Sequence, residues 1–195
     1  MGWNTQFKKN VKKFDIKNID LCLEIGCYHG HTSNYIVENI LSTAGKLICV
    51  DPLEDTYLVD NLTPVDIKNN VKWKNFKGQY DQFIFNTKEN LENNKIELIR
   101  KTSTQTYPLL KYNYLNSFNL IYIDGDHREM PVYLDGVNCF NLLKTDGIMI
   151  FDDYDWKDYS NQTVTKYGID KFLNEYKDKL KILTIEYQVV IQKII

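Results

Sequence analysis

Cysteine pairs, an excess of charge and long apolar runs are all missing from this 195-residue chain, and each absence removes a class of protein. The four cysteines, Cys22, Cys27, Cys49 and Cys139, form no Cys-x-x-Cys pair, and three of them lie in or beside apolar strand-like runs. Free thiols there behave as small hydrophobes, so a reduced, cytoplasmic protein is expected. Basic side chains number 24 against 26 acidic ones, a formal charge of −2. That balance offers nothing to a polyanion, and no nucleic-acid partner is expected. No apolar run approaches the roughly 18 residues of a bilayer span, and MGWNTQFKKN lacks the apolar block of a secretory signal. A soluble chain without a membrane partner is the expectation, and a homo-oligomer is compatible with it. The lysine-rich run Lys8 to Lys13 reads as a solvated helix face.

What the chain does contain is alternation. Short β-rich runs at Asp20 to Ile25, Lys46 to Asp51, Ile96 to Arg100, Phe118 to Asp124 and Gly147 to Asp152 are separated by helical intervals. Near-continuous apolar strands between helices indicate a parallel sheet buried on both faces. Helical spacing is legible over His31 to Leu41, Tyr133 to Leu143 and Gly168 to Tyr176, and GQYDQFIFNTKENLE presents Tyr80, Phe83 and Ile84 on one face. The C-terminus departs from the pattern. In LKILTIEYQVVIQKII two β-rich runs are divided by only Glu186 to Gln188, too few residues for a crossover helix, so they pair antiparallel. The expectation is one α/β domain over residues 1–195, a doubly wound, seven-stranded, Rossmann-like sheet, mostly parallel with a C-terminal antiparallel hairpin. The acidic, turn-rich stretch 52–76 is a candidate lid, or an ordered excursion without function.

The first strand runs into a glycine turn, LCLEIGCYHGHTS (Leu21 to Ser33). A dinucleotide fingerprint needs a bare glycine where Tyr28 stands, and no G-x-x-x-x-G-K-[ST] phosphate loop occurs. Glu24-x-Gly26-x-x-x-Gly30, followed by Asp51 at the end of strand two, suits another ligand. A carboxylate at Asp51 can accept both hydroxyls of a ribose, and Glu24 suits an amino-acid ammonium. S-adenosylmethionine carries both groups and no phosphate. For Glu24 the alternative is a strand-end carboxylate that caps a helix or pairs with a lysine; for Thr32 and Ser33 it is helix capping.

FNLIYIDGDHREM and IMIFDDYDW carry further carboxylates to the same sheet edge. Asp124, Asp152 and Asp153 without basic partners repel one another unless a cation lies between them, and hard oxygen ligands suit magnesium, manganese or calcium. The alternative for Asp152-Asp153 is a strand-terminating turn. His127, three residues past Asp124, is a candidate general base, with Asp124 next in line, although a solvated loop residue or a donor to substrate are equally open readings. His29 and His31 read as packing or substrate-entry residues.

With these motifs the chain resembles the class I S-adenosylmethionine-dependent methyltransferases, and most closely their small metal-dependent O-methyltransferase branch, the catechol O-methyltransferase-like and sugar and macrolide O-methyltransferase-like enzymes. The resemblance runs from about Asp20 to the C-terminus. It implies that Glu24, Gly26, Tyr28, Gly30 and Thr32 surround the methionine moiety, that Asp51 binds the ribose, and that Thr102 and Ser103, in IELIRKTSTQTYPLL, border the adenine. It implies that Asp124, Asp152 and Asp153 hold a divalent metal, Mg2+ first; Asp124, bordering metal and acceptor, is a cofactor-binding candidate as well. Asp124 and Asp152 stand 28 positions apart, as in that branch, and His127 stands where catechol-type relatives carry a catalytic lysine. The implied activity is O-methylation of a small hydroxyl acceptor such as a sugar or glycoside. A cofactor-binding partner subunit that keeps the fold without turnover is the alternative. Tyr57, Trp73, Phe76, Tyr154, Trp156 and Tyr159 would suit stacking on an acceptor ring, or cover the core.

Overall fold

The structure, a computed structural model, describes residues 4–54, 78–157 and 164–195. Residues 55–76 of the candidate lid, with Tyr57, Trp73 and Phe76, and the aromatic Tyr159 lie outside the described residues. Six helices and seven strands are described: α1 (Thr5–Lys13), β1 (Ile19–Ile25), α2 (His31–Asn39), β2 (Leu41–Val50), α3 (Gln79–Glu92), β3 (Ile96–Ile99), α4 (Ser103–Tyr114), β4 (Phe118–Ile123), α5 (Glu129–Leu142), β5 (Leu143–Phe151), α6 (Val164–Tyr176), β6 (Leu180–Ile185) and β7 (Val189–Lys193).

The strands form one sheet in the order β3-β2-β1-β4-β5-β7-β6. The first five are parallel, and β7 pairs antiparallel with both β5 and β6. The short turn between β6 and β7 closes with the Glu186 amide donating to the Gln188 carbonyl at 3.0 Å. The sheet is therefore mostly parallel with a C-terminal antiparallel hairpin, as the brief spacer requires. Chain order reverses beside β1, so the turns after β1 and β4 face one crevice at the C-terminal edge.

Each strand's two-residue period divides the core. Leu23, Ile25, Ile121, Ile123, Met149 and Phe151 point toward the helices α4, α5 and α6, where Phe140 and Phe172 meet them. Cys22, Leu120, Tyr122 and Ile150 point the other way, against Phe7 of α1, Ile36 of α2 and Phe83 of α3. Glu24 shares the parity of Cys22 and Tyr122, which places a carboxyl group inside that second layer.

Two elements differ from the sequence reading. The run Lys8 to Lys13 is not solvated throughout, because Asn10 and Val11 are buried while Lys9, Lys12 and Lys13 remain outside. The helix holds itself to the sheet through Phe7, whose ring centroid lies 4.5 Å from that of Tyr122, and through Asn10, which donates to Gln188 Oε1 at 2.8 Å. Helix α4 follows a local signal: Thr102 accepts from the Gln105 amide and Gln105 accepts from the Thr102 amide, a reciprocal cap written as Thr-x-x-Gln. Replacing Phe7 with alanine empties a fully buried site, so Phe7→Ala should cost about 3–5 kcal/mol in urea unfolding. A cost below about 1 kcal/mol, the range of surface substitutions, would mean that α1 rides outside the core.

Candidate active site

The turn after β1 is shaped by two glycines in left-handed conformation, Gly26 at φ 81° and Gly30 at φ 77°. A β-carbon on Gly26 would lie 2.0 Å from the carbonyl oxygen of Asp124, and one on Gly30 would lie 2.4 Å from Thr87 Cγ2. These glycines admit neighbouring protein, not a ligand, into the space of a side chain. Tyr28 between them also takes a positive φ of 44°, and its ring stacks on His29 with centroids 3.6 Å apart. The strained turn is held from β2, since Asp51 Oδ2 accepts from the amides of Cys27 at 2.9 Å and Tyr28 at 3.0 Å. Asp51 Oδ1 accepts from the Leu53 amide at 2.8 Å. Asp51 thus positions the turn, and its carboxylate retains lone pairs for a diol.

Beneath the turn Glu24 is fully buried. Its Oε2 accepts from Ser33 Oγ at 2.5 Å and meets Cys49 Sγ at 3.4 Å. Ser33 thereby leaves helix capping aside and serves Glu24. Thr32 is half-buried in the first turn of α2. His29 is pushed down to about 4 by burial and by His31, so it is neutral at physiological pH, and its carbonyl accepts from Asn86 of α3 at 2.8 Å. At the other side of the crevice Thr102 is the cap of α4, while Ser103 donates to the buried Asp135, whose carboxyl is raised to about 6, first by burial.

The acidic edge assembles differently from the three-aspartate set. His127 Nε2 lies 3.0 Å from Asp153 Oδ2 and 3.8 Å from Asp124 Oδ1. One ligand atom from each of Asp124, His127 and Asp153 lies within 4.8 Å of the others. Asp152 stands outside this group: strand parity turns it to the α1–α2 side, where the Tyr122 hydroxyl contacts it in a short hydrogen bond and also meets Asp124 Oδ2 at 3.0 Å. Asp152 Oδ1 accepts from the Asp153 amide at 2.7 Å. Asp153 itself has φ 56°, a conformation that costs energy and recurs at functional sites.

Two contributors carried no local sequence signal. Tyr187, in the turn between β6 and β7, donates to Asp153 Oδ1 at 2.5 Å, and its carbonyl accepts from the Tyr154 amide at 2.9 Å. Tyr122 reads in sequence as an ordinary strand aromatic. Only the return of the hairpin to β5, and the register of β4, bring their hydroxyls to the carboxylates. Trp156 lies 4.9 Å from the His127 ring, centroid to centroid.

The electrostatics follow from this geometry. Burial disfavours the charged imidazole of His127, yet the hydrogen bonds and charges of Asp124 and Asp153 outweigh it and push His127 up to about 10. Asp153 is depressed despite burial, because His127 and Tyr187 bond to it. Asp152 rises to about 7, from burial first and then the neighbouring carboxylates, and burial raises Asp124 as well. The two acids thus bias His127, which lies 3.0 Å from Asp153, toward its charged form.

Residues 23–154 match the family described as a methyltransferase domain. The chain belongs to that methyltransferase family. A curated relative, the uncharacterised protein R132 of Acanthamoeba polyphaga mimivirus, is 26% identical over 136 residues, which cover 68% of this chain and 50% of R132. The methyltransferase chain thus spans about half the length of that relative. Among solved structures, an O-methyltransferase from Bacillus cereus in complex with SAH is 15% identical with a TM-score of 0.67, the match covering 99% of this chain and 83% of that one. The O-methyltransferase TomG of Streptomyces achromogenes, involved in tomaymycin synthesis and solved with SAM, is 12% identical with a TM-score of 0.69, covering 100% and 82%. These likenesses establish the class I methyltransferase fold. Among the described residues no helix is long and apolar enough to cross a membrane.

Because the folded value of His127 lies above its ordinary 6.5, its pairing adds stability that is fully present below about pH 6.5 and lost as pH rises toward about 10. The difference in thermal stability between the parent and His127→Gln should therefore narrow between those limits. A gap constant up to pH 10 would show that His127 is not paired as an imidazolium.

Proposed function

We propose that this chain is an S-adenosylmethionine-dependent O-methyltransferase, assisted by a divalent metal, that methylates a hydroxyl of a small acceptor such as a sugar or glycoside. The reading is carried by one observation: within a methyltransferase-family fold, the Glu24–Gly30 turn and Asp51 share a sheet edge with the Asp124, His127 and Asp153 cluster. Among the described residues the buried carboxyl of Glu24 has one oxygen, Oε1, without a hydrogen-bond partner, which fits a ligand that brings a cationic donor. The cluster supplies hard carboxylate oxygens, donors that fit Mg2+ or Mn2+. Asp124 and Asp153 would hold such a cation, with Asp152 behind them on Tyr122 and His127 beside them as the base.

In this reading Glu24 and the turn of Gly26, Tyr28, Gly30 and Thr32 surround the methionine part of the cofactor, Asp51 accepts from the ribose hydroxyls, and Thr102 and Ser103 border the adenine. A divalent cation, if bound, would supply positive charge that eases ionisation of an acceptor hydroxyl. His127, where Asp124 and Asp153 pair with the cation instead, would be placed to accept the hydroxyl proton, with Tyr187 keeping Asp153 aligned. Trp156, against the His127 ring, is placed to stack on the acceptor.

Calorimetry with S-adenosylhomocysteine tests the cofactor site. Asp51→Ala should weaken binding by about 1.5–3 kcal/mol, as for hydrogen bonds to a charged group, and unchanged affinity would remove Asp51 from the site. Chelation by EDTA should abolish methyl transfer while leaving cofactor binding largely intact, with Mn2+ or Mg2+ restoring it; full turnover in excess chelator would sink the metal assignment. His127→Ala should lower kcat by roughly 10²–10⁴-fold, the usual worth of a general base, with cofactor affinity near that of the parent. Cofactor binding without turnover on any glycoside or catechol would instead favour a non-catalytic partner subunit.

A further inference from the structure

The register of the sheet sets Glu24 between Cys49 of β2 and Tyr122 of β4. No part of Glu24 reaches solvent. On its Oε2 side the partners are complete: Ser33 Oγ at 2.5 Å, Cys49 Sγ at 3.4 Å, and these two 3.6 Å from each other. On the Oε1 side no described residue makes a hydrogen bond.

Among the described residues the charged groups acting on Glu24 are Asp51, beyond the end of β2, and Asp124, beyond the end of β4, and both are acidic. The thiols of Cys22, Cys27 and Cys49 are neutral, since burial pushes each of them up. The Tyr122 phenol is likewise raised by burial and stays protonated. The Ser33 hydroxyl, from α2, is a neutral donor. Among the described residues an ionised Glu24 would therefore sit in a buried layer, facing two like charges, with Oε1 unsatisfied and no cation beside it, a costly arrangement in general.

We propose that Glu24 holds a proton in the free protein and releases it when the cofactor binds, Oε1 then receiving the cofactor's ammonium group while Ser33 and Cys49 keep Oε2 in place. The inference rests on the S-adenosylmethionine reading above. The balance is simple: the Glu24 O–H bond breaks, the proton leaves to buffer, and the carboxylate left behind accepts from an ammonium that remains charged. Burial, the first cause, raises Glu24 to about 8, against the hydrogen bonds from Ser33 and Cys49, so the proton is in place at neutral pH.

Ser33 and Cys49 are accordingly positioning residues. The hydroxyl of Ser33 favours the ionised form of Glu24, as any donor to a carboxylate does. The arrangement makes cofactor affinity a function of pH and allows the buried layer to remain neutral whenever the site is empty.

The test is titration calorimetry with S-adenosylhomocysteine at pH 6.5 in two buffers of different ionisation enthalpy, phosphate and Tris. About one proton should be released per molecule bound, and the Kd should fall about tenfold per pH unit between pH 5.5 and 7, where the ligand's own amine stays charged. Glu24→Gln should bind with no net proton release and a flat pH dependence. Should that variant fold poorly, Ser33→Ala serves instead: it keeps the one-proton release but binds about tenfold more weakly at pH 7, because the donor that favours ionisation is gone. Binding by the parent without net proton release overturns the proposal and leaves the methyltransferase reading standing, as does an equal release in Glu24→Gln or an unchanged affinity in Ser33→Ala. Absence of any binding by the folded parent overturns the cofactor reading and this proposal with it.

Discussion

The close approach of the Gly26 backbone to the Asp124 carbonyl is the contact on which the rest of the site depends. A single methyl group at Gly26 would lie 2.0 Å from that oxygen, so the turn after β1 and the exit of β4 can share one edge only if residue 26 is bare. The Asp124 amide donates to the Ile25 carbonyl at 2.8 Å, and the Gly26 amide donates to the Val50 carbonyl at 2.9 Å, so three strand ends are tied at one point. Asp51 then satisfies the amides of Cys27 and Tyr28, which the left-handed turn would otherwise leave pointing into the crevice. The glycine turn and the acidic edge are for that reason tied to each other through backbone.

Strand parity imposes the second constraint. The alternation that sends Leu23 and Ile25 to one helical layer sends Glu24 to the other, and the same alternation in β4 sends Tyr122 beside it. A fold built only for stability would place apolar groups there. Instead a carboxyl, a phenol, a serine hydroxyl and a thiol occupy adjacent positions, each hydrogen-bonded to a partner in another element. Such a polar seam departs from the apolar pattern of its surroundings, which is where functional demand commonly overrides packing. The seam also connects the two halves of the site, because Tyr122 reaches Asp124 and Asp152 while its strand neighbour Glu24 lies under the turn.

The terminal hairpin extends this connection to the outer edge of the molecule. Tyr187 bonds Asp153, and the next residues on either side are held from α1: Lys9 and Lys13 pair with Glu186 at 3.2 and 3.0 Å, and Asn10 bonds Gln188. The surface ion pairs contribute little by themselves, but together with the buried Asn10 contact they restrict where the tip of the hairpin sits. An N-terminal helix with no chemistry of its own thereby bears on the orientation of Asp153.

By itself the sequence determined the class of fold, because period and spacing are local properties: continuous apolar runs for a parallel sheet, and a three-residue spacer that only an antiparallel hairpin can bridge. It also marked the turns that the fold brings to one sheet edge, since glycines at positions 26 and 30 and acids at strand ends are visible in one dimension. Helix α4 carries a local signal too, its Thr102–Gln105 cap, but the sequence reading assigns Thr102 and Ser103 only to the adenine border. What tertiary structure alone decided is which side chains meet. The four carboxyl groups Glu24, Asp124, Asp152 and Asp153 are alike in sequence, yet parity buries the first, turns Asp152 onto Tyr122, and leaves Asp124 and Asp153 to His127. The ionisation of His127 depends on atoms 26 residues away in the chain, in Asp153, and Tyr187 enters only through the β5–β7 pairing. Charge states and hydrogen bonds fall off within a few ångströms, so they are set by neighbours in space, which a linear pattern does not specify.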